Sequence, residues 1–274
     1  MNLVAQGPAM TPQDAADLAR LAGAPFEKIA ATAYRYRNSR QEGIAQWCDA
    51  RKIDHGFIPE GRRFSGLRLL AMDMDSTLIT IECIDELGDL AGRKAEVAEI
   101  TGRAMRGEID YPESLRRRVA LLKGLQASAL EAVYSQRLKL TPGAEHLLAA
   151  CKKHGIKLLL VSGGFTFFTE RLKARLGFDY TVSNTLEIDE GLLTGGLVGE
   201  IVGAEAKAAK FLSVMKGIDS TSGQTVAIGD GANDLKMIAL AGFSVAFRAK
   251  PVVRAQASCA LNWSGLDAVV NLFE

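Results

Sequence analysis

Three short, mostly apolar segments of this sequence are each followed directly by a polar motif that contains aspartate, serine or glycine. The segments, 67–72, 156–161 and 225–228, are separated by stretches of helical character. Strands that alternate with helices form a parallel sheet with helices on both faces. Ligands bind such sheets at the edge where the strands end. We therefore predict an α/β fold with a Rossmann-like parallel sheet, and a site built from the three motifs.

Charge balance and hydropathy exclude several classes of partner. The 274 residues include 33 basic and 32 acidic side chains, a formal net charge of +1 that offers no footprint for nucleic acid or an anionic membrane. No segment approaches the roughly 18 apolar residues of a spanning helix, and we see no signal peptide. The four cysteines are too scattered for a zinc site or a disulfide framework. We expect a cytoplasmic protein with reduced thiols, and the sequence does not predict its oligomeric state.

The first motif, Asp73-Met74-Asp75-Ser76-Thr77, places two carboxylates two residues apart at the end of a predicted strand. Side chains two apart in an extended segment share a face, and such close like charges disfavour joint ionisation unless a cation or a proton intervenes. The pair therefore indicates a metal, or an acid and a nucleophile with separate tasks. The competing interpretation is a turn rich in Asp and Ser.

The second motif, Ser162-Gly163-Gly164, lies between a predicted strand and a predicted helix that reaches Leu176. A hydroxyl, exposed amides and a helix N-terminus together form an anion site. A glycine turn that only connects strand and helix is the alternative, and it is favoured when the motif is taken alone. None of the three histidines has an obvious partner, so a serine–histidine hydrolase is not predicted.

The third motif, residues 229–234, reads Gly-Asp-Gly-Ala-Asn-Asp. Asp230, Asn233 and Asp234 offer the hard oxygen ligands that suit magnesium. The motif lacks the third glycine of a dinucleotide fingerprint, which makes cofactor binding of that kind a weak alternative. A capped turn that opens a helix is the interpretation favoured by this motif alone.

Two basic side chains are candidates to complete such a site. Lys207 lies on a predicted helix, 204–216, although most helical lysines are solvated and Lys210 is an equal candidate. Arg118 shares an apolar stripe in the largely helical segment from about 82 to 140. An arginine that faces inward needs a buried anionic partner, which is either a substrate carboxylate or an internal Asp or Glu.

Residues 1–65 differ in pattern from the rest of the chain. Thr11 and Pro12 supply a hydroxyl cap and a proline at the first helical position, which predicts a helix through Leu21. The fold of this small accessory region is not predicted. No candidate site residue precedes Asp73, so we expect the region to be dispensable for activity.

The order and the separation of the motifs resemble the haloacid dehalogenase superfamily of phosphatases, from about residue 67 to the end. Within that superfamily the chain is similar to the phosphoserine phosphatase family. The similarity covers the three motifs and the following further residues: Glu82, Ile84-Asp85-Glu86, 105–111, Ser114-Leu115, Arg118-Val119, Val161 and Phe165. The resemblance implies a haloacid dehalogenase-like catalytic domain over 66–274, with the helical segment of about 82–140 inserted as a cap over the site.

The resemblance also implies a reaction: magnesium-dependent hydrolysis of the small molecule O-phosphoserine to serine and phosphate, the last step of serine biosynthesis. Asp73 would attack phosphorus and form an aspartyl-phosphate, and Asp75 would act as acid and then as base. The other implied roles are magnesium ligation by Asp73, the Asp75 carbonyl and Asp230; phosphate binding by Ser162, the Gly163 amide and Lys207; contact with the substrate ammonium by Glu82 and with its carboxylate by Arg118; an apolar lid of Met105 and Tyr111; and orientation of these groups by Asn233 and Asp234.

Two rival functions stay open. A phospho-receiver module also places acidic residues, a hydroxyl and a lysine at strand ends, but it needs no acid two residues after its nucleophile. Asp75 and the helical insertion therefore argue against it. A phosphatase for another small phosphate, such as phosphohomoserine, would use the same chemistry, and the motifs do not separate it from the first interpretation.

Overall fold

The computed structural model describes all 274 residues and contains one mixed sheet of eleven strands. The strands are β1 (Asn2–Gln6), β2 (Phe26–Ala30), β3 (Ala33–Tyr36), β4 (Asp54–Ile58), β5 (Leu69–Met72), β6 (Lys157–Phe165), β7 (Tyr180–Asp189), β8 (Leu192–Val198), β9 (Thr225–Gly229), β10 (Phe243–Phe247) and β11 (Cys259–Leu261). Across the sheet their order is β2-β3-β1-β4-β11-β10-β9-β5-β6-β7-β8.

Twelve helices cover the sheet or extend from it. They are α1 (Pro12–Ala22), α2 (Ile44–Ala50), α3 (Cys83–Leu90), α4 (Lys94–Met105), α5 (Tyr111–Ala120), α6 (Ser128–Ala132), α7 (Ala144–Lys153), α8 (Thr166–Leu176), α9 (Ala204–Gly217), α10 (Leu235–Ile238), α11 (Pro251–Arg254) and α12 (Ala268–Asn271). None of them combines the length and the apolar character that crossing a membrane requires.

The centre of the sheet is parallel, as the sequence predicts. β5 pairs in parallel with β6 on one side and with β9 on the other, and β9 pairs in parallel with β10. Alternate residues of β5 enter two different apolar clusters: Leu70 and Met72 join the larger one, while Leu69 and Ala71 face the opposite side of the sheet. This burial on both faces explains why the predicted strands read as unbroken apolar runs. The parallel pairing of these strands brings the three motifs to one edge of the sheet.

The second motif lies on the strand itself, so the strand end predicted at Val161 was too early, whereas the helix that follows ends at Leu176 as predicted. β6 continues through Ser162, Gly163 and Gly164 to Phe165, and α8 begins only at Thr166. Phe165 is fully buried and pairs with β7, so the extended backbone persists beyond the glycines. Neither glycine has a positive φ, so the motif is not a glycine turn either.

The helical segment predicted between β5 and β6 is present as α3 to α6, followed by one further turn over residues 133–137. Its helix α5 begins at Tyr111, where the Asp110 side chain accepts a hydrogen bond from the Glu113 amide and caps the helix. Leu115 and Val119 of α5 are buried, as their helical spacing predicts. The insertion stands over the edge of the sheet that carries the three motifs.

Residues 1–58 form a β-α-β-β-α-β unit whose four strands extend the central sheet, an arrangement of the ferredoxin-like type. α1 begins at Pro12 behind the predicted Thr11 cap. Leu3 and Ala5 of β1 face a small cluster beneath α1 and α2, whereas Val4 joins the large central core. Both faces of this half-sheet are therefore covered.

We use the word seam for the junction between residues 1–58 and residues 259–274. β4 pairs with β11 in antiparallel fashion. Asp54, 1% exposed, accepts backbone hydrogen bonds from the three consecutive amides of residues 262–264, at distances from 2.6 to 3.3 Å. Arg35 donates to the carbonyls of Asn271 and Phe273 at 3.1 and 2.7 Å. The N-terminal region is thus built into the sheet.

Candidate active site

A cavity of about 620 Å³ lies at the carboxyl edge of the parallel strands, beneath the helical insertion. All three motifs and the insertion contribute to its wall. The predicted site residues that line it are Asp73, Asp75, Glu82, Met105, Tyr111, Arg118, Gly163, Asp230 and Asn233. Ser162, Lys207 and Asp234 are also close by, but they are fully buried behind the wall.

The two carboxylates of the first motif have different surroundings. Asp73 follows β5 directly, and its Oδ1 accepts hydrogen bonds from the Met74 amide and from Lys207 Nζ, both at 2.8 Å. Asp75 has an extended backbone, and its Oδ1 accepts from the Cys83 amide at 2.9 Å. Ser162 Oγ lies 3.4 Å from Asp75 Oδ2. The pair therefore consists of one carboxylate held by a cation and one held by dipoles, which suits two separate tasks.

Lys207 is the centre of a buried ion network. Its Nζ lies 2.8 Å from Asp73 Oδ1 and 2.8 Å from Asp234 Oδ1, and its side chain has no exposed surface. Burial alone would lower the pKa of Lys207, but the carboxylates of Asp234 and Asp73 outweigh it and raise the pKa. The lysine is therefore a permanent cation. This location separates it from Lys210, its equal candidate in the sequence.

The carboxylates around Lys207 are crowded. Burial, and next the charge of Asp234, raise the pKa of Asp73, while Lys207 opposes the shift. Burial and the same neighbour raise the pKa of Asp230 to about 7. One lysine does not balance three acidic side chains. The excess negative charge indicates a place for a cation.

The donor set fits a hard divalent cation. Carboxylate oxygens of Asp73, Asp230 and Asp234 lie within 4.8 Å of one another. Oxygen ligands of this kind bind magnesium or calcium. Thr77, fully buried, donates to Asp230 Oδ1 at 3.1 Å and fixes the direction of that carboxylate. Asp234, for which only a supporting role is predicted, therefore belongs to the group of carboxylates that could contact the metal.

The predicted phosphate ligands occupy the second motif and its surroundings. Ser162 Oγ accepts a hydrogen bond from the Gly164 amide at 2.8 Å, so the hydroxyl has a fixed position behind the cavity wall. A Cβ at Gly164 would stand 2.6 Å from Asp75 Oδ2 and 3.0 Å from Ser162 Oγ. The glycine is needed because the backbone passes so close to Asp75.

Glu82 and Arg118 lie on the side of the cavity formed by the insertion. Glu82 Oε1 accepts from Ser76 Oγ at 2.7 Å, and Ser76 has the left-handed φ of +56° that turns the chain after the first motif. Glu82 as a residue is exposed toward the cavity, yet desolvation of its carboxylate, followed by the charge of Asp75, raises its pKa to about 7. Arg118 faces the cavity, as its helical position predicts, and makes no ion pair there.

The two predicted lid residues differ. Tyr111 donates its hydroxyl hydrogen to the Gly163 carbonyl at 3.1 Å, which joins the insertion to the second motif. Burial raises the pKa of Tyr111 to about 12, so the hydroxyl stays a donor. Met105 lines the cavity but is 64% exposed, so it does not seal the site in this conformation.

Sequence reasoning assigned no role to several residues that shape the site, and it did not single out Asn184 at all. Thr77 belongs to the first motif, and its spacing from Asp73 was a usable signal. Asp85 and Ser114 line the cavity, and each has a buried oxygen without a hydrogen-bond partner. Asn184 on β7 is 2% exposed and bonds the Gly163 carbonyl. No local pattern marks Asn184, because its partner lies on a different strand.

Comparison with known proteins identifies the family. The family model for haloacid dehalogenase-like hydrolases matches residues 70–239, which include all three motifs and the insertion. The chain belongs to this family. A phosphoserine phosphatase from Polaromonas sp. is 55% identical over 215 residues, which cover 77% of this chain and 91% of that protein. The family membership predicted from the motifs is confirmed.

Solved structures agree with the fold. A probable phosphoserine phosphatase from Vibrio cholerae, in an unliganded form, superposes with a TM-score of 0.87 at 38% identity. The superposition covers 99% of this chain and 86% of the Vibrio cholerae chain. A phospho-aspartyl intermediate analogue of a phosphoserine phosphatase superposes with a TM-score of 0.72 at 36% identity, over 76% of this chain and 99% of its own. The haloacid dehalogenase-like α/β fold is therefore confirmed.

Proposed function

We infer that this chain is a phosphoserine phosphatase, which hydrolyses O-phosphoserine to serine and phosphate. The observation that carries this inference is the pair of carboxylates at the end of β5, one bound to a buried lysine and one free of it, inside a cavity that also presents Glu82 and Arg118. The 55% identity to a protein of that name supports the same substrate. The reaction would be the last step of serine biosynthesis.

We assign the nucleophile to Asp73. Its Oδ1 is occupied by Lys207 and by the Met74 amide, whereas Oδ2 accepts no hydrogen bond and is the oxygen left for attack. A bond forms between Oδ2 and phosphorus as the bond from phosphorus to the serine oxygen breaks, which gives an aspartyl-phosphate and serine. The relative solved as a phospho-aspartyl intermediate analogue supports this order of events.

Asp75 would move the protons. Burial raises the pKa of Asp75, which favours the protonated acid that the first step needs. It donates that proton to the departing serine oxygen, and in the second step it takes a proton from the water that attacks phosphorus. The bond between phosphorus and Asp73 Oδ2 then breaks, and its electron pair returns to the carboxylate. The Cys83 amide holds Asp75 in place throughout.

We propose that the cation is magnesium and that Asp73, Asp230 and the Asp75 carbonyl hold it, with the Asp234 carboxylate close enough to assist. Bound there, it would offset the repulsion between an anionic nucleophile and an anionic phosphate. Lys207 supplies a second, permanent positive charge on the same carboxylate. Asn233, on the cavity wall, and Asp234, bonded to Lys207, would orient these groups.

The remaining residues would bind the two ends of the substrate. Ser162, the Gly163 amide and Lys207 are proposed for the phosphoryl oxygens, where charge develops during transfer. Glu82 would pair with the ammonium and Arg118 with the carboxylate, since both face the cavity without a stronger partner inside the protein. Tyr111 and Met105 would cover the bound substrate.

The four free, buried cysteines suit a reducing compartment, and we propose a cytoplasmic location.

A phosphate-release screen tests the proposal. The substrates are O-phosphoserine, phosphohomoserine, phosphoethanolamine and 3-phosphoglycerate, each assayed with magnesium and with a chelator, beside the Asp73→Asn variant as a blank. We expect turnover of O-phosphoserine well above the other esters, and only with the metal. Preference for phosphohomoserine would reassign the substrate. A stable phosphoprotein without phosphate release would support a receiver module.

A further inference from the structure

The second motif is a bulge in the central sheet. β6 and β7 pair at Val161 with Val182 and again at Phe165 with Asn184. Three residues of β6, 162–164, therefore stand opposite the single residue Ser183. A bulge of this kind aims side chains and amides away from the ladder and leaves backbone groups without ladder partners. The Gly163 carbonyl is one such group.

Asn184 provides the missing partner. Its Nδ2 donates to the Gly163 carbonyl at 2.8 Å, and its Oδ1 accepts from the Val202 amide at 2.8 Å. The side chain is 2% exposed, and both arms of its amide are used. The partners fix its orientation, because a carbonyl needs a donor and an amide N–H needs an acceptor. Removal of the Asn184 side chain would leave the buried Val202 amide without an acceptor, and a buried amide without a partner costs more free energy than its hydrogen bond contributes.

Val202 lies just before α9, the helix that carries Lys207. The Lys207 amide bonds the Gly203 carbonyl at 3.0 Å in the first turn of that helix. One asparagine on β7 thus connects the bulge that presents Ser162 and the Gly163 amide to the start of the helix that presents the lysine. Tyr111 reaches the same Gly163 carbonyl from the insertion, at 3.1 Å.

We propose that Asn184 is a positioning residue that holds the phosphate-binding bulge in register with the helix of Lys207. It touches neither the cavity nor the predicted reacting atoms, so it acts through Gly163 and Val202. This proposal rests on the proposed function. An error of about 1 Å in the position of binding groups can cost roughly a hundredfold in rate.

The test compares Asn184→Leu, which has a similar shape and no hydrogen bonds, with Ser183→Ala on the neighbouring position. Ser183 Oγ lies 2.7 Å from Thr169 Oγ1, so its replacement removes a side-chain hydrogen bond and leaves both bonds of Asn184 in place. In the magnesium-loaded enzyme we measure kcat, KM, the Kd of inorganic phosphate by calorimetry, and inhibition by L-serine.

Asn184→Leu should lower kcat and weaken phosphate binding by about tenfold or more each, because the protein groups that bind phosphate would no longer be held in their relative positions. Inhibition by L-serine should stay within about twofold, since the side chains of Glu82 and Arg118 bond Ser76 and the Ser114 carbonyl and make no direct bond to the bulge. Ser183→Ala should lower Tm without either change. If Asn184→Leu fails to fold, Asn184→Asp at pH 8 carries the same test, because an ionised carboxylate keeps the bond from Val202 and loses the one to Gly163.

Unchanged phosphate affinity in the Asn184 variants, with only a lower Tm, would overturn the proposal and leave Asn184 a purely stabilising residue. Equal losses for phosphate and L-serine would overturn it as well, because they would mean general damage to the site. A wild-type enzyme that neither hydrolyses O-phosphoserine nor binds phosphate would contradict the proposed function instead. The two failures are therefore distinguishable.

Discussion

The seam and the active-site edge both bury carboxylates, and they treat them in opposite ways. Asp54 at the seam receives three backbone amides and has no ionised side chain as a partner. At the site, Asp73 and Asp234 share one lysine, and Asp230 has only a threonine. Dipoles alone satisfy the first carboxylate completely. The second group keeps an excess of charge that the protein itself does not neutralise.

This difference separates stability from function. A carboxylate whose lone pairs are all used by the protein stabilises the fold and has nothing left for a ligand. Burial, and next the charge of Asp234, raise the pKa of both Asp73 and Asp230, so these carboxylates are under-compensated in the folded chain and offer a place for a cation. The comparison predicts that substitutions at the seam change the free energy of unfolding and spare kcat, and that substitutions at the site do the reverse.

The largest expected effect comes from Asp73→Asn, which should lower kcat on the order of 10⁴-fold or more, because an amide does not attack phosphorus. The fold should persist, since the amide oxygen still accepts from Lys207 and one of three crowded negative charges is gone. Phosphate release and thermal unfolding measure the two quantities. Turnover near the wild-type level would remove Asp73 from the mechanism, and a collapse in Tm would break the comparison.

Asp54→Ala should have the opposite effect, because it should lower the stability of the fold and preserve kcat. It leaves three consecutive amides at the seam without an acceptor, and we expect a loss of about 3–5 kcal/mol in the free energy of unfolding. The kcat of the folded fraction should stay within about twofold. Asp49→Ala, an exposed acid in the same region, is the matched control for the change in charge. Denaturant unfolding followed by assays on the native fraction makes the measurement.

The seam also bears on the removal of residues 1–65. The sequence suggested that they are dispensable, because no site residue precedes Asp73. In the structure their loss would uncover the β11 edge, free the amides of residues 262–264 and remove the Arg35 donor from the carbonyls of Asn271 and Phe273. We therefore expect a truncated chain to aggregate, for reasons of packing and not of catalysis.

The sequence predicted those parts of the molecule that local patterns encode. Short apolar runs identified β5, β6 and β9, and motifs at their ends identified the site. The continuation of the sheet into the N-terminal region depends on pairing between β4 and β11, which lie about two hundred residues apart in the chain. The strand conformation of Ser162-Gly163-Gly164 goes with the pairing of Phe165 and Asn184, so the strand end predicted at Val161 was too early. Such long-range pairing leaves no local signal.

Arg118→Ala tests the comparison inside the site, where a cavity-facing arginine without an ion pair should act on substrate and not on stability. We expect kcat/KM for O-phosphoserine to fall roughly 10- to 100-fold, the value of a lost charge-assisted contact of about 1.5–3 kcal/mol. An aryl phosphate, which lacks a carboxylate, should be nearly unaffected. Arg116→Ala, exposed on the same helix, is the control. Equal losses on both esters would assign Arg118 to the packing of the insertion.

The smallest expected effect is a change in pH dependence at Glu82, whose pKa is raised to about 7, chiefly by desolvation. A raised pKa means that the carboxylate is charged above pH 7 and becomes neutral as the pH falls through that value. Only the charged form attracts the substrate ammonium, so KM for O-phosphoserine should rise a few-fold between pH 8 and pH 6. The substrate phosphate also titrates near pH 6, and this contribution must be separated.

Glu82→Gln makes that separation, because it removes the protein's titration and keeps the substrate's. The variant should have a higher KM at pH 8 and a weaker dependence on pH, so that the ratio of variant to wild-type KM approaches one near pH 6. Phosphoethanolamine, which retains the ammonium, should show the same trend, and 3-phosphoglycerate, which has none, should not. A ratio that stays constant with pH would mean that Glu82 acts through its bond to Ser76 and the turn after Asp75, and not through its charge.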